Sequence, residues 1–85
     1  MGIPIIREVQ ISDFATYVGE TLDGIPHGYG TITSDKLVYR GDFKDGLPHG
    51  NGSVTIMETY MYEGVWVDGI VIIESMVCLN DNFTL

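Results

Sequence analysis

Two histidines, one cysteine and twelve acidic residues are the side chains of this 85-residue chain that could catalyse a reaction or hold a metal. His27 and His49 each follow a proline and precede a glycine, at the same place in a repeated block. A metal site needs further ligands that converge on the ion, and no third histidine is present to activate a nucleophile. We therefore predict that each imidazole hydrogen-bonds to nearby backbone within a turn.

The other reactive groups do not favour catalysis either. Cys78 lies in an apolar run, where a thiolate is disfavoured. Asp23, Asp45 and Asp68 each precede a glycine, which is typical of turns, and a two-carboxylate hydrolase would need them to converge in a cleft. Gly28-Tyr29-Gly30 shows no helix pattern after it, as a phosphate-binding loop would require. The sequence thus predicts a protein that is not an enzyme and has no catalytic residues, bound metal or cofactor.

The charge balance narrows the class of partner. Four basic residues against 12 acidic ones give a formal net charge of −8. Such a surface repels nucleic-acid phosphates and anionic lipids, so we expect neither direct nucleic-acid binding nor membrane binding. It favours a protein partner with a basic surface, including one whose own ligand is nucleic acid. The alternative is that the acidity serves only solubility.

The chain is expected to form a single domain, residues 1–85, because its length suits one small hydrophobic core. Its single cysteine excludes an intrachain disulfide, which is typical of a reducing compartment. It contains no apolar run of the roughly 20 residues that span a bilayer and no signal-peptide pattern. These features predict a cytoplasmic location.

A block of the sequence occurs twice, and a third, partial copy follows. The block that begins at Tyr17 recurs at Tyr39, 22 residues later (39 − 17), and begins again at Tyr62, 23 residues later (62 − 39). Self-similarity at so short a period predicts stacked supersecondary units. The three units cover residues 17–38, 39–61 and 62–70.

Alternating side chains predict β-strands within each unit. Tyr39, Gly41 and Phe43 share one parity, while the residues between them are polar or charged. A further strand is expected over residues 3–11, with Pro4 near its exposed start, which suits the edge of a sheet.

Asp-Gly dipeptides mark one turn in every unit, at 23–24, 45–46 and 68–69. Glycine accepts the positive φ of a two-residue hairpin turn without steric cost. We expect the Pro-His-Gly residues that follow to belong to the same turn, so that each unit is a strand, a turn and a returning strand. A second turn at 34–36 leads into the next unit.

Aromatic residues of one parity predict the core. These residues are Tyr17, Tyr39, Phe43, Tyr62 and Trp66. We expect them to stack from unit to unit, with a ring of the neighbouring strand lying on the backbone at Gly19, Gly41 and Gly64. An exposed aromatic ladder that binds a ligand is the alternative.

Residues 70–79 depart from the repeat pattern. They are apolar at almost every position, which is typical of a strand covered on both faces. We expect this segment to cap the last unit or to form a dimer contact. Because a single sheet leaves its edges open, a homodimer is expected through this segment or through residues 3–11. The expected dimer contacts are Val71, Ile73, Val77 and Leu79.

The repeated residues resemble the MORN repeat, whose pattern runs Tyr-Xaa-Gly, a glycine-bearing turn and His-Gly-Xaa-Gly. The matching positions are Tyr17, Gly19, Gly24, His27, Gly28 and Gly30 in the first unit, and Tyr39, Gly41, Phe43, Gly46, His49, Gly50 and Gly52 in the second. The third unit matches in its first half, at Tyr62, Gly64, Trp66 and Gly69, and Thr21 stands where an aromatic residue is expected. The resemblance implies an all-β fold, a single-layer twisted antiparallel sheet of stacked β-hairpins, with N- and C-terminal capping strands. It also implies a scaffold or accessory module that is not catalytic on its own.

The sequence therefore predicts a non-enzymatic protein-binding module. Its favoured form is a small acidic inhibitor or adaptor that docks on a basic protein surface, similar in size and charge to phage-type anti-CRISPR and anti-defence proteins. The alternative is a MORN-type structural scaffold or membrane-tethering module. The acidic residues expected to form one exposed docking face, one set per unit, are Glu20, Asp23, Asp42, Asp45, Glu63 and Asp68.

Overall fold

The computed structural model of the protein describes residues 5–79, which form one antiparallel sheet. Its strands are β1 (Ile5–Ser12), β2 (Ala15–Leu22), β3 (Ile25–Ser34), β4 (Leu37–Lys44), β5 (Leu47–Ile56), β6 (Tyr60–Val67), β7 (Ile70–Val71) and β8 (Val77–Cys78). Strands β1 to β7 each pair with their sequence neighbours, and β8 pairs with β6. The extents of 50 × 25 × 16 Å fit a single layer. The predicted all-β sheet of stacked hairpins is confirmed, and β1 lies at its edge as expected, although Ile3 and Pro4 lie outside the described residues.

The Asp-Gly turns have the geometry that the sequence predicts. Asp23 and Gly24 have φ values of 54° and 81°, and positive φ at both central residues defines the type I′ turn of a two-residue hairpin. The pairs at 45–46 and 68–69 repeat it. At the opposite ends of the strands, the turn at 35–36 has two residues and the turn at 57–59 has three. This extra residue accounts for the longer second spacing of the repeat.

The Pro-His-Gly residues lie inside the returning strands, so their predicted place in the turn is wrong. Strands β3 and β5 begin directly after the Asp-Gly turns and include these residues. Gly28 and Gly50 take φ values of 97° and 106°, which only glycine adopts readily, and let the strand continue. The returning strands carry the bulges, because residues 27–29 lie opposite the single residue Glu20 and residues 49–51 lie opposite the single residue Asp42.

Five glycines form one row across the sheet. The paired residues, from β2 to β6, are Gly19, Gly30, Gly41, Gly52 and Gly64. The Tyr17 ring lies against Gly30 and the Tyr39 ring against Gly52, which leaves no space for a side chain at either glycine. The glycines that receive the rings are thus those of the returning strands, rather than Gly19, Gly41 and Gly64 as predicted. Gly19 and Gly41 allow close approach of the adjacent backbone instead, and Gly64 faces Ser75, Val71 and Met76.

Aromatic rings connect the units through edge-to-face contacts. Ring centroids are 4.8 Å apart for Tyr17 and Phe43, 5.2 Å for Phe43 and Tyr39, and 5.1 Å for Tyr39 and Trp66. Tyr17, Tyr39 and Phe43 are buried, which confirms that the stripe is core, whereas Trp66 and Tyr62 are half-buried. The aromatic core therefore thins towards the C-terminal end of the sheet.

Thr21 takes the place of Phe43 in the first unit. It is fully buried, and its hydroxyl donates to the Ile5 carbonyl of β1 at 2.7 Å. Phe43 fills the space between the tyrosines of two units, but β1 covers this position in the first unit and brings no such tyrosine. A small residue with a hydrogen bond therefore replaces the expected aromatic.

Residues 70–79 do not form the continuous strand, covered on both faces, that the sequence predicts. Strands β7 and β8 pair with the same edge of β6, and a 3-10 turn at Ile73–Ser75 separates them. At the 23-residue spacing (73 − 50), Ile73 takes the position of Gly50, and a β-branched residue cannot readily adopt that glycine's positive φ. The segment covers the edge of β6, so the predicted C-terminal cap is confirmed. Most of its side chains are nevertheless exposed.

Candidate protein-binding surface

The tips of the three Asp-Gly hairpins form a ridge at one end of the strands, across the sheet. We define the hairpin-tip ridge as residues 23–25, 45–47 and 68–70, in which each Asp-Gly pair is followed by a large aliphatic residue. Adjacent strands lie about 4.8 Å apart, so equivalent residues one hairpin apart are separated by about 10 Å.

Each returning strand holds the tip of the next hairpin. The Asp45 N–H donates to Nδ1 of His27 at 3.3 Å, and the Gly46 N–H donates to the Pro26 carbonyl at 2.9 Å. The equivalent bonds one unit later run from Asp68 to His49 at 3.1 Å and from Gly69 to Pro48 at 2.8 Å. Because Nδ1 accepts, the neutral imidazole carries its proton on Nε2. The predicted hydrogen bond to backbone is confirmed, although its partner is the next unit rather than nearby residues.

These bonds fix the backbone of the aspartates and leave their carboxylates in solvent. The side chains of Asp45 and Asp68 are 81% and 79% exposed. Each carboxylate lies near the same imidazole, with Oδ1 at 3.9 Å from His27 Nδ1 and at 3.5 Å from His49 Nδ1. The ridge therefore presents negative charges from backbone positions that are already ordered.

Aliphatic side chains alternate with these charges, and the sequence analysis missed them. Ile25, Leu47 and Ile70 are 50%, 46% and 72% exposed. Ile25 lies beside Gly46 and Leu47 lies beside Gly69, so each unit touches the next tip. The signal was an apolar residue after every Asp-Gly dipeptide, where a purely polar turn would have sufficed.

Glu20 and Asp42 are half-buried and serve the sheet itself, so the predicted exposure of Asp42 is wrong. Each lies opposite the bulge of a returning strand. Glu20 Oε1 accepts the Tyr29 N–H at 2.6 Å, and Asp42 Oδ2 accepts the Asn51 N–H at 3.3 Å. The bulge leaves these N–H groups without a ladder partner, and the carboxylates satisfy them.

Glu63 does not align with Glu20 and Asp42 as one set per unit requires. It is exposed, and it pairs with Ser53, which pairs in turn with Arg40. Val65 occupies the place that corresponds to Asp42 in the third unit. The structure thus aligns Asp23, Asp45 and Asp68 along the ridge and separates the other three acidic residues from them.

The predicted dimer contacts are on the C-terminal cap. Val71 is half-buried against β6, whereas Ile73, Val77 and Leu79 are exposed by 75%, 58% and 43%.

Other features of the described part offer little for chemistry. A depression of about 120 Å³ lies beside the turn at 35–36 and is smaller than the ~300–1,000 Å³ typical of ligand pockets. Within residues 5–79, no three His, Cys, Asp or Glu side chains are grouped so that they could hold a metal ion. That same range contains no helix long and apolar enough to cross a membrane.

Comparison with known families matches the MORN repeat to residues 17–36 and 39–55. The chain therefore contains two MORN repeats. The two matched MORN segments carry four of the five glycines in the row, the buried tyrosines and the histidines that hold the next hairpin tip. MORN-repeat proteins are generally non-enzymatic scaffolds, and the repeat supports a structural or protein-binding module. A search of curated proteins found no match.

Proposed function

We propose that this protein is a small acidic adaptor or inhibitor that docks through its hairpin-tip ridge on a basic surface of another protein. The observation that carries the proposal is the combination of fixed backbone and free carboxylates at Asp45 and Asp68. Their backbone N–H groups are bonded to the preceding unit, and their side chains are about four-fifths exposed.

Preorganisation favours binding at this ridge. A backbone that is ordered before association loses less conformational entropy on binding. Charges about 10 Å apart are separated by little more than the Debye length of about 8 Å in physiological salt, so they partly reinforce one another and steer a cationic partner. The exposed Ile25, Leu47 and Ile70 add apolar area that such a partner would cover.

The partner class follows from the net charge of −8. A basic protein, and in particular one that binds nucleic acid, fits an acidic ridge that nucleic acid itself would avoid. An inhibitor of the anti-CRISPR or anti-defence type is the form of this proposal that the size and charge suggest. The cytoplasmic location, like the absence of membrane binding, stays a prediction from composition.

The test compares two variants of equal net charge. In the tip variant, Asp23, Asp45 and Asp68 are replaced by Gly, which takes positive φ without strain, keeps the backbone N–H groups and, unlike Asn before a glycine, cannot deamidate back to Asp. In the control variant, Asp13→Asn, Asp35→Asn and Glu58→Gln remove three charges from the turns at the opposite ends of the strands. Wild type and both variants are used to capture partners from the source cell, and affinity for the captured protein is measured across a salt series.

We expect the partner to bind wild type and the control variant with affinity that falls as salt rises, and to bind the tip variant at least tenfold more weakly. Equal binding by all three would exclude the ridge as the interface. Equal weakening of both variants would show that net charge, rather than the ridge, determines binding.

An assembly role is the alternative function. For contact between two copies of the chain, the two edge strands of the sheet differ in how far they are covered. The outer edge of β1 has no strand beside it among residues 5–79, and Ile6 is 70% exposed. The opposite edge, at β6, is covered by β7 and β8. If the chain is a homodimer, we therefore expect β1, rather than residues 70–79, to form the contact. Ile6→Lys should then yield a monomer in sedimentation, whereas Ile73→Lys, at an equally exposed site, should not.

A further inference from the structure

The three Asp-Gly turns contain the same reactive pair but differ in the hydrogen bonds that neighbouring residues make to them. An Asp-Gly pair can isomerise when the glycine amide nitrogen attacks the aspartate side-chain carbon. The new C–N bond closes a succinimide ring and a water molecule leaves. Hydrolysis of the ring then gives either aspartate or isoaspartate, in which the main chain runs through the side-chain carbon. Water is the only co-reactant.

The attacking nitrogen is engaged in two of the three turns. The N–H groups of Gly46 and Gly69 donate to Pro26 and Pro48 at 2.9 and 2.8 Å. The preceding aspartate in each turn is also held, through its own N–H, by a histidine. To form the ring, these turns must break both bonds and leave the I′ geometry, which is a local opening reaction with its own free energy.

Among residues 5–79, neither restraint acts on the first turn. In the described range 5–79, no atom accepts a hydrogen bond from the Gly24 or Asp23 N–H apart from any within the hairpin itself. A side chain built at Gly24 would meet nothing within 4 Å, whereas Gly46 has Ile25 at 3.5 Å and Gly69 has Leu47 at 3.6 Å. The reason lies in the topology, because β1 precedes this hairpin and no Pro-His pair of the described chain faces it.

We propose that Asp23-Gly24 is an isomerisation site at which isoaspartate accumulates in the folded protein, while Asp45-Gly46 and Asp68-Gly69 are protected. Isomerisation adds one methylene to the main chain at residue 23 and shortens the branch that bears the carboxylate. It therefore changes the first tip and leaves the other two intact. The inference rests on the turn contacts alone and does not depend on what the ridge binds.

The test follows all three sites in one sample. The wild-type protein is aged at neutral pH under native conditions and in urea, digested, and analysed by mass spectrometry with fragmentation that distinguishes isoaspartate. Each hydrogen bond slows opening by a few-fold to about tenfold, so isoaspartate at residue 23 should form about tenfold faster or more than at residues 45 and 68 in the native protein. In urea the three rates should converge, because the flanking sequences are alike.

A variant of the restraint itself provides the second readout. His27→Ala removes one of the two bonds that hold the turn at 45–46 and none of those at 68–69. We expect faster isoaspartate formation at Asp45 with an unchanged rate at Asp68. An unchanged rate at Asp45, or an equal rise at both residues in a variant whose circular dichroism matches wild type, would overturn the restraint assigned to His27. Equal rates at all three sites in the native wild type would overturn the proposal.

Discussion

Gly52→Ala tests the packing on which the whole repeat depends. Gly52 is the β5 member of the glycine row, and the Tyr39 ring lies directly against it. An added Cβ would lie 2.5 Å from Tyr39 Cε2 and closer still to the end of the ring. The contact is with a rigid ring that is 3% exposed, so the ring must leave its site.

The magnitude follows from what Tyr39 loses. Its ring makes edge-to-face contacts with Phe43 and Trp66, and its hydroxyl donates to the Asp42 carbonyl at 2.9 Å. Burial contributes about 2 kcal/mol, each ring pair about 0.5–1.5 kcal/mol and the hydrogen bond about 1 kcal/mol. Gly52→Ala should therefore lower the free energy of unfolding by about 4–6 kcal/mol, a large part of the ~5–15 kcal/mol that domains possess.

Gly64→Ala is the matched control in the same row. Its added Cβ would meet Ser75 Oγ at 3.1 Å, Val71 Cγ2 at 3.3 Å and Met76 Cγ at 3.4 Å, and no aromatic ring. These neighbours need to move by only a few tenths of an ångström, so we expect a loss of about 1 kcal/mol or less. Urea unfolding followed by circular dichroism measures both variants. If Gly52→Ala and Gly64→Ala unfold at the same urea concentration, the reasoning about the ring is refuted.

Three further predictions concern the core and the links between units. Trp66→Ala should cost about 3 kcal/mol, since the half-buried ring supports Tyr39, and an unchanged melting temperature would contradict its place in the core. His49→Ala should lower the free energy of unfolding by about 1 kcal/mol, because the hydrogen bond from the Asp68 N–H is lost. His49→Asn keeps an acceptor near the same position and should recover much of this loss. Equal urea midpoints for the two variants would count against this link. Burial, and then the charge of Asp42 and the nearby Tyr29, raise the pKa of Tyr39 to about 12. Because the folded pKa lies above the unfolded value of about 10, the contribution of Tyr39 to stability is complete below that pH and is lost as the pH rises towards 12; the Tyr39→Phe variant should lack this part of the loss in urea melts across the same pH range.

Local features of the sequence determined the strands, the turns and the class of fold. Alternation along a strand and the positive φ of Asp-Gly are properties of a few consecutive residues, so they could be predicted without any tertiary contact. Because the hairpin sequence repeats, the hairpins could be predicted to pair side by side in one sheet, and the aromatic residues of the repeat indicated the core. The aspartates at 23, 45 and 68 could be assigned to hairpin tips for the same reason.

Contacts between units decided the rest. The histidines act on turns 18 and 19 residues further along the chain, and that partnership exists only once one hairpin lies beside the next. Likewise, simple alternation predicted Asp42 as an exposed residue, but the bulge of β5 places the Asn51 N–H where the Asp42 carboxylate accepts its hydrogen bond. The break in residues 70–79 arose because the position of Gly50 needs a positive φ that Ile73 does not readily adopt. The sequence could indicate which residues repeat, but the register between strands determined what each of them touches.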